Sequence, residues 1–234
     1  LSKIRVGILA NLRHLTQPLH KHTSLLYKRN LFTPYIMTKA ELPTTSLPEH
    51  QFTYLVDGIR NGDIFLFPTD TIWGIGCDAT NVTAVQRIYD LKKRVPEKPY
   101  VLLVSSIEMI KDYVYEVHPR IETLLLHHKR PLSVVYPRAI NLPPISIAQD
   151  GSVAIRVVKD IFCQQLINAI GRPLVATSAN ISNQPFPGNF GEISSEILTG
   201  VDQVVKLRQD EKTINNPSVM ITMNTQGEVV FLRK

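Results

Sequence analysis

The chain's 234 residues, 44% of them hydrophobic, suffice for one domain with a substantial core, and no run approaches the roughly 18 apolar residues of a membrane helix. The net charge of +6 invites a nucleic-acid reading, but residues 1–40 hold seven of the 26 Lys and Arg and no Asp or Glu. The other 194 residues balance 19 basic against 20 acidic side chains, so the basic composition is no argument for a DNA- or RNA-binding surface.

The acid-free leader has two readings. Its basic, hydroxyl-bearing composition is that of a mitochondrial transit peptide. Alternatively it is sequence translated ahead of Met37, since the chain opens on Leu1. Residues 1–45 are expected to be an extension outside the fold, disordered, and 46–234 the folded domain. Helical spacing follows at Phe52, Leu55, Val56 and Ile59, closed by Asn61-Gly62. A short apolar strand over 64–67 runs into Phe67-Pro68-Thr69-Asp70-Thr71-Ile72-Trp73-Gly74-Ile75-Gly76. The proline ends ladder donation, the glycines permit tight turning or close approach to a ligand, and the Thr and Asp side chains leave the strand end together. This stretch reads as a binding loop rather than an ordinary turn.

Val82, Val85, Ile88 and Tyr89 pattern an amphipathic helix over 81–93, which ends in Leu91-Lys92-Lys93-Arg94-Val95-Pro96-Glu97-Lys98-Pro99. Cations are favoured at a helix C-terminus, which accounts for Lys92 to Arg94 as a solvated turn. It does not account for Pro96 and Pro99 stiffening the chain around Lys98, and a rigid cationic loop suits polyphosphate. No Walker or GxGxxG pattern occurs, so a nucleotide site here is neither P-loop nor Rossmann. Strands are expected over 100–104, 132–136, 153–157 and 174–176, and helices over 106–116, 119–128, 160–170 and 191–198. Three further strands fall near 202–206, 218–222 and 228–232. The mixture indicates an α/β fold: a single domain with a twisted mixed β-sheet flanked by helices. After 174–176 comes Ala176-Thr177-Ser178-Ala179-Asn180-Ile181-Ser182, a hydroxyl and an amide two residues apart at a strand end. A turn cap and a ligand clamp explain it equally well, whereas a Ser nucleophile lacks the GxSxG elbow and a nearby His. Cys77 and Cys163 have no metal spacing and read as buried apolar residues; His118, His127 and His128 read as surface or core polar residues.

Taken together, the stretch from Phe67 to Gly76, Lys92-Lys93-Arg94 with Lys98-Pro99, and Ser178-Ala179-Asn180 resemble, in order and spacing, the signatures of the YrdC-like threonylcarbamoyl-AMP synthase family in its short single-domain form. The resemblance implies a YrdC/RibB-like sheet with a concave ligand-binding cleft for ATP and L-threonine. It implies a nucleotidyltransferase that forms L-threonylcarbamoyladenylate and pyrophosphate from L-threonine, bicarbonate and ATP, with Mg2+ on the phosphates and no protein metal site. A tRNA-modifying threonylcarbamoyl-transferase complex would receive the product. Carried over residue by residue, Lys92, Arg94, Ser178 and Asn180 are the catalytic and ATP-binding group, joined at ATP by Lys98 and Arg233. Thr69, Arg156 and Ser218 are assigned to threonine.

The chain departs from the pattern at Arg130-Pro131-Leu132-Ser133, where a glycine is lost, at Val157-Val158-Lys159, where a proline is lost, and at Trp73, Asn183 and Val219. The implied location is cytoplasmic, or the mitochondrial matrix if the leader is a transit peptide; no membrane is involved. Two alternatives stand beside the synthase. One is a diverged YciO-like paralogue with a nucleotide site and weak or different activity, and the other is a non-catalytic RNA-binding module with RNA as its partner.

Overall fold

The computed structural model describes residues 47–95, 99–212 and 216–234. The leader assignment and Lys98 lie outside the described residues. Helix α1 (Glu49–Arg60) buries Leu55, Val56 and Ile59, the stripe that its sequence spacing specified. It leads into strand β1 (Phe65–Phe67), and here the first departure from the sequence reading appears. Only residues 68–73 form a connection; Gly74 opens a second, wholly buried strand, β2 (Gly74–Asp78), paired antiparallel to β1 with Phe65 opposite Gly76 and Phe67 opposite Gly74.

The glycines therefore serve neither a turn nor, at Gly76, a ligand. A Cβ on Gly76 would sit 2.7 Å from the Val175 carbonyl oxygen and 2.8 Å from the Phe67 ring. Glycine here admits the Phe65 and Phe67 rings, whose centroids are 4.7 Å apart, onto the sheet. Gly76→Ala is expected to destabilise the fold by about 1–3 kcal/mol through overpacking. Urea denaturation checks this, and an unchanged midpoint would show that the rings can move aside.

The remaining elements follow the expected order with shifted ends. They are α2 (Val82–Lys92), β3 (Val101–Val104), α3 (Ile107–Lys111), α4 (Pro119–His127), β4 (Leu132–Tyr136) and β5 (Val153–Val157). Then come α5 (Ile161–Ile170), β6 (Leu174–Ser178), α6 (Ser195–Gly200), β7 (Gln203–Val204), β8 (Val219–Met223) and β9 (Val229–Arg233). Asn81, Ser106 and Asp160 cap their helices by accepting from Ala84, Met109 and Cys163 amides, and His118 does the same for Arg120. The helix expected over 106–116 stops at Lys111 because Val114 bridges to Ala139. The one expected over 191–198 becomes a single 3-10 turn and then α6, since Glu192 turns back to the Gly188 amide and the Asn189 side chain.

The strands form one sheet in the order β7-β1-β2-β6-β3-β5-β4-β8-β9, mixed because β1·β7, β3·β5 and β4·β8 are parallel. Side chains alternate between its faces. Leu66, Ile75, Val175, Leu102, Ile155, Val134 and Ile221 fall on one face, packed by α2, Ile110 of α3 and Ile121 of α4. Phe65, Phe67, Leu103 and Leu174 fall on the other, beneath α1 and α5. Those two helices cover only part of that face. Ser178, Arg156, Ser133 and Met220 share it by register and lie beyond their reach. Both cysteines are fully buried apolar neighbours of these cores, and burial pushes both thiols up in pKa. Among the described residues no helix is long and apolar enough to cross a membrane.

Candidate active site

The uncovered part of the sheet is the floor of a cavity of about 300 Å³. The connection over 68–73 forms one wall. Its shape is set by a chain of hydroxyls: Arg156 Nη1 donates to Thr71 Oγ1 at 3.0 Å, Thr71 Oγ1 lies 2.8 Å from Thr69 Oγ1, and Thr69 Oγ1 donates to the Ile72 carbonyl at 2.8 Å. The Thr71 amide also donates to Thr69 Oγ1 at 3.0 Å. A hydroxyl has one proton and two lone pairs, so Thr71 must donate to Thr69, and the Thr69 oxygen is then saturated. Thr69 lines the cavity, as expected of a threonine contact, but its hydroxyl holds the loop. Thr71, flagged only as a member of the motif, keeps the lone pair still open.

Arg156 is 4% exposed, and its Nη2 lies 3.2 Å from Asp70 Oδ1. Both Asp70 oxygens are buried and accept no hydrogen bond among the described residues, so the Arg156 charge is what balances that carboxylate. Arg156 sits opposite Ser133 on β4, and the Ser133 and Ser218 hydroxyls lie 2.8 Å apart. Arg233 donates from Nε to the Ser218 carbonyl at 3.0 Å and from Nη2 to the Ser218 hydroxyl at 3.2 Å. Burial, and then the charge of Arg156, pull the Arg233 guanidinium down in pKa. Two nearby cations in a partly closed space favour an anionic ligand between them. The departure at Val219 leaves no gap here: Val219 points into the opposite core, and Ser133 supplies the hydroxyl partner of Ser218.

The cationic end of α2 sends three consecutive residues to three places. Lys93 adopts the left-handed conformation at φ 50° as the helix ends, which swings the chain sharply. Lys93 itself stays exposed beside Glu196, a surface pair of small energetic weight. Arg94 lines the cavity, its guanidinium 4.8 Å from the Tyr100 ring centre.

Lys92 departs from the expected triphosphate contact: it is 2% exposed and does not line the cavity. Its ammonium donates to the Ser178 and Asn180 carbonyls, each at 2.5 Å, with Asn180 Oδ1 at 3.5 Å, while the Ser182 amide donates back to the Lys92 carbonyl. Burial first, then the Arg94 charge, push the Lys92 pKa down to about 7. Asn180 likewise turns inward, its Nδ2 donating to the Ile181 and Gln184 carbonyls. Both residues shape the loop that follows β6, and Ser178 alone of that trio faces the cavity.

Thr69, Arg94, Arg156, Ser178, Ser218 and Arg233 thus meet at one cavity, and Lys92 and Asn180 hold its rim. Register separates two ends. Leu103 stands opposite both Leu174 and Arg156, so Ser178 lies four residues along β6 from the level of Arg156, about 13 Å. Arg94 stands beside Tyr100, just ahead of β3, and Arg233 stands on β9 beside Ser218, several strands away, so the two places can hold two anionic groups of one extended ligand. No His and no carboxylate is among the described residues lining the cavity, so the arrangement suits positioning and charge neutralisation rather than a nucleophile–base pair. Trp73, flagged beside the glycines, does not line it: the indole is 6% exposed and packs at a tilt against Phe190, centroids 4.9 Å apart.

The family model for Sua5, YciO and YrdC, described as "Telomere recombination", matches residues 57–234. The chain is 30% identical over 170 residues to the threonylcarbamoyl-AMP synthase of Vibrio parahaemolyticus serotype O3:K6, covering 71% of this chain and 91% of that protein. It is 37% identical over 133 residues to the protein of the same name from Vibrio cholerae serotype O1, covering 56% and 71%. Among solved structures it resembles P. abyssi Sua5 complexed with L-threonine, with TM-score 0.70 and 25% identity; the match covers 80% of this chain but only 55% of that longer one. The fold also matches E. coli YciO, with TM-score 0.70 over 91% of that chain at 17% identity. The chain belongs to the Sua5/YciO/YrdC family.

Proposed function

We propose that the chain is an L-threonylcarbamoyladenylate synthase, a nucleotidyltransferase that makes threonylcarbamoyl-AMP and pyrophosphate from L-threonine, bicarbonate and ATP. The observation that carries this is the two-ended cleft. Arg94 and the Arg156/Arg233 pair line it at different places, with Thr and Ser hydroxyls beside them and no His or carboxylate among the described lining residues. The names of its relatives support the same reading.

In this reading Arg233, which the resemblance assigned to ATP, instead joins Arg156 and the Ser133–Ser218 pair at the amino-acid carboxylate, since it is hydrogen-bonded to Ser218, and Arg94 and Ser178 receive the phosphates. The threonine amine takes up CO2 from bicarbonate as a carbamate. A carbamate oxygen attacks the α-phosphorus, and the bond from that phosphorus to the α,β-bridging oxygen breaks, so pyrophosphate leaves with the electron pair. The protein's part is to align the two anions and neutralise charge as the in-line displacement proceeds. Mg2+ would arrive on the ATP phosphates. The cleft offers it hydroxyl and carbonyl oxygens and no cluster of three His, Cys, Asp or Glu among the described residues, which fits a substrate-borne ion keeping most of its waters. A tRNA-modifying transferase complex would take the adenylate onward, in the cytoplasm or, if residues 1–45 are an address, in the matrix.

Threonine- and bicarbonate-dependent release of pyrophosphate from ATP tests the proposal. Arg94→Ala is expected to lower the turnover about 10²- to 10³-fold. A wild type that releases pyrophosphate without any response to threonine would favour the YciO-like reading, which the shared fold keeps in view.

A further inference from the structure

We propose that Phe186 is the platform on which the nucleotide's purine base stacks, an assignment that rests on the nucleotide reading above. Phe186 lines the cavity and remains 42% exposed, whereas Tyr100, the other aromatic among the described lining residues, is buried beneath Arg94. An aromatic face left open in a cleft is unfavourable in water and is satisfied by a flat partner. The ring does not stand on a loose loop. Pro185 and Pro187 flank it and fix their own φ angles.

The segment around Phe186 is tied at both ends. On one side Asn180 Nδ2 donates to the Gln184 carbonyl at 2.6 Å, and Asn183 makes a left-handed turn at φ 67°. On the other, Glu192 accepts from the Gly188 amide at 2.7 Å and from Asn189 Nδ2 at 2.6 Å, and Phe190 packs at a tilt against Trp73. The unusual tryptophan of the opening motif therefore acts at a distance, clamping the loop that presents Phe186.

Arg94, held over Tyr100, lines the same cavity. A π-face and a phosphate-seeking cation lining one cavity match a nucleotide's base and phosphates. Stacking reads ring area rather than base edges, so this contact favours purines over pyrimidines and separates ATP from GTP weakly.

Calorimetric titration with ATP and with inorganic tripolyphosphate, on wild type, F186A, F186L and F186W, tests this. Trp73 is the chain's one tryptophan, so its emission in F186A and F186L reports whether the loop's clamp is intact. F186A and F186L are expected to lose ATP affinity by about 5- to 150-fold, the effect of removing one base–aromatic stack. Tripolyphosphate binding and Trp73 emission should stay unchanged, and F186W should bind ATP as wild type does. Unchanged ATP affinity in F186A, or F186L binding like wild type, overturns the stacking role while leaving the nucleotide site standing. Equal losses of ATP and tripolyphosphate with shifted Trp73 emission overturn it in favour of a purely structural loop residue. If wild type takes up no ATP at all, the nucleotide reading falls and this assignment with it.

Discussion

Arg156→Met is expected to abolish threonine-dependent pyrophosphate release and to lower stability by about 3–5 kcal/mol, because it strands a carboxylate that is buried beside it. Asp70 has both oxygens buried and no hydrogen-bond donor among the described residues; the Arg156 guanidinium at 3.2 Å is what keeps its charge tolerable. The same guanidinium donates to Thr71, the head of the hydroxyl chain that shapes the loop over 68–73. Structure and binding would thus fail together, and a second substitution separates them. In Asp70→Asn/Arg156→Met the stranded charge is gone, so urea denaturation should recover most of the lost stability. The threonine response should stay absent, because the cation at that end is still missing. Recovery of threonine-dependent turnover in the double variant would sink the role given to Arg156.

Lys92→Met is the second large effect. The ammonium holds the carbonyls of Ser178 and Asn180 at 2.5 Å each, and methionine fills the space without a donor. Two buried carbonyls left without that partner cost about 1–3 kcal/mol apiece. The loop that sets Ser178, and through Asn180 the segment carrying Phe186, loses its inner anchor. Turnover is expected to fall at least about 100-fold, the usual effect of misplacing groups in an aligned site.

A pH signature distinguishes this buried clip from a solvent-facing phosphate ligand. Burial holds the folded-state pKa at about 7 against an ordinary 10.5, so between those values the unfolded chain binds a proton that the folded chain does not. Stability must then rise with pH across that interval, with no contribution to the slope well below 7. Wild type should gain on Lys92→Met between pH 7 and pH 10 in denaturant titrations. Parallel pH profiles for the two proteins would show that Lys92 keeps an ordinary, solvated ammonium.

Much of this was legible beforehand, for reasons tied to particular residues. Leu55, Val56 and Ile59 place α1, a solid apolar run places β3, and the apolar residues around Ser133 and Arg156 place β4 and β5. The strand inside the opening motif was not legible. Gly74 and Gly76 signal a turn to any local reading, and only the rings of Phe65 and Phe67 arriving from β1 make them strand residues. Phe186 was equally invisible, since a phenylalanine between prolines in a polar loop has no periodic neighbours to give it meaning.

By itself, then, the sequence determined the family, the order of strands and helices apart from β2, and the chemistry available: hydroxyls at one strand end, cations at a helix end, a hydroxyl and an amide at another strand end. It could do so because strand and helix periodicity and motif order are local properties of the chain. Which groups face the ligand was decided only by tertiary structure. Lys92, Lys93 and Arg94 are chemically alike and adjacent, yet one is buried on carbonyls, one is in solvent and one is in the cleft. That sorting follows from where α2 ends, from the left-handed turn at Lys93, and from the β6 loop packed against it, none of which is encoded within three residues.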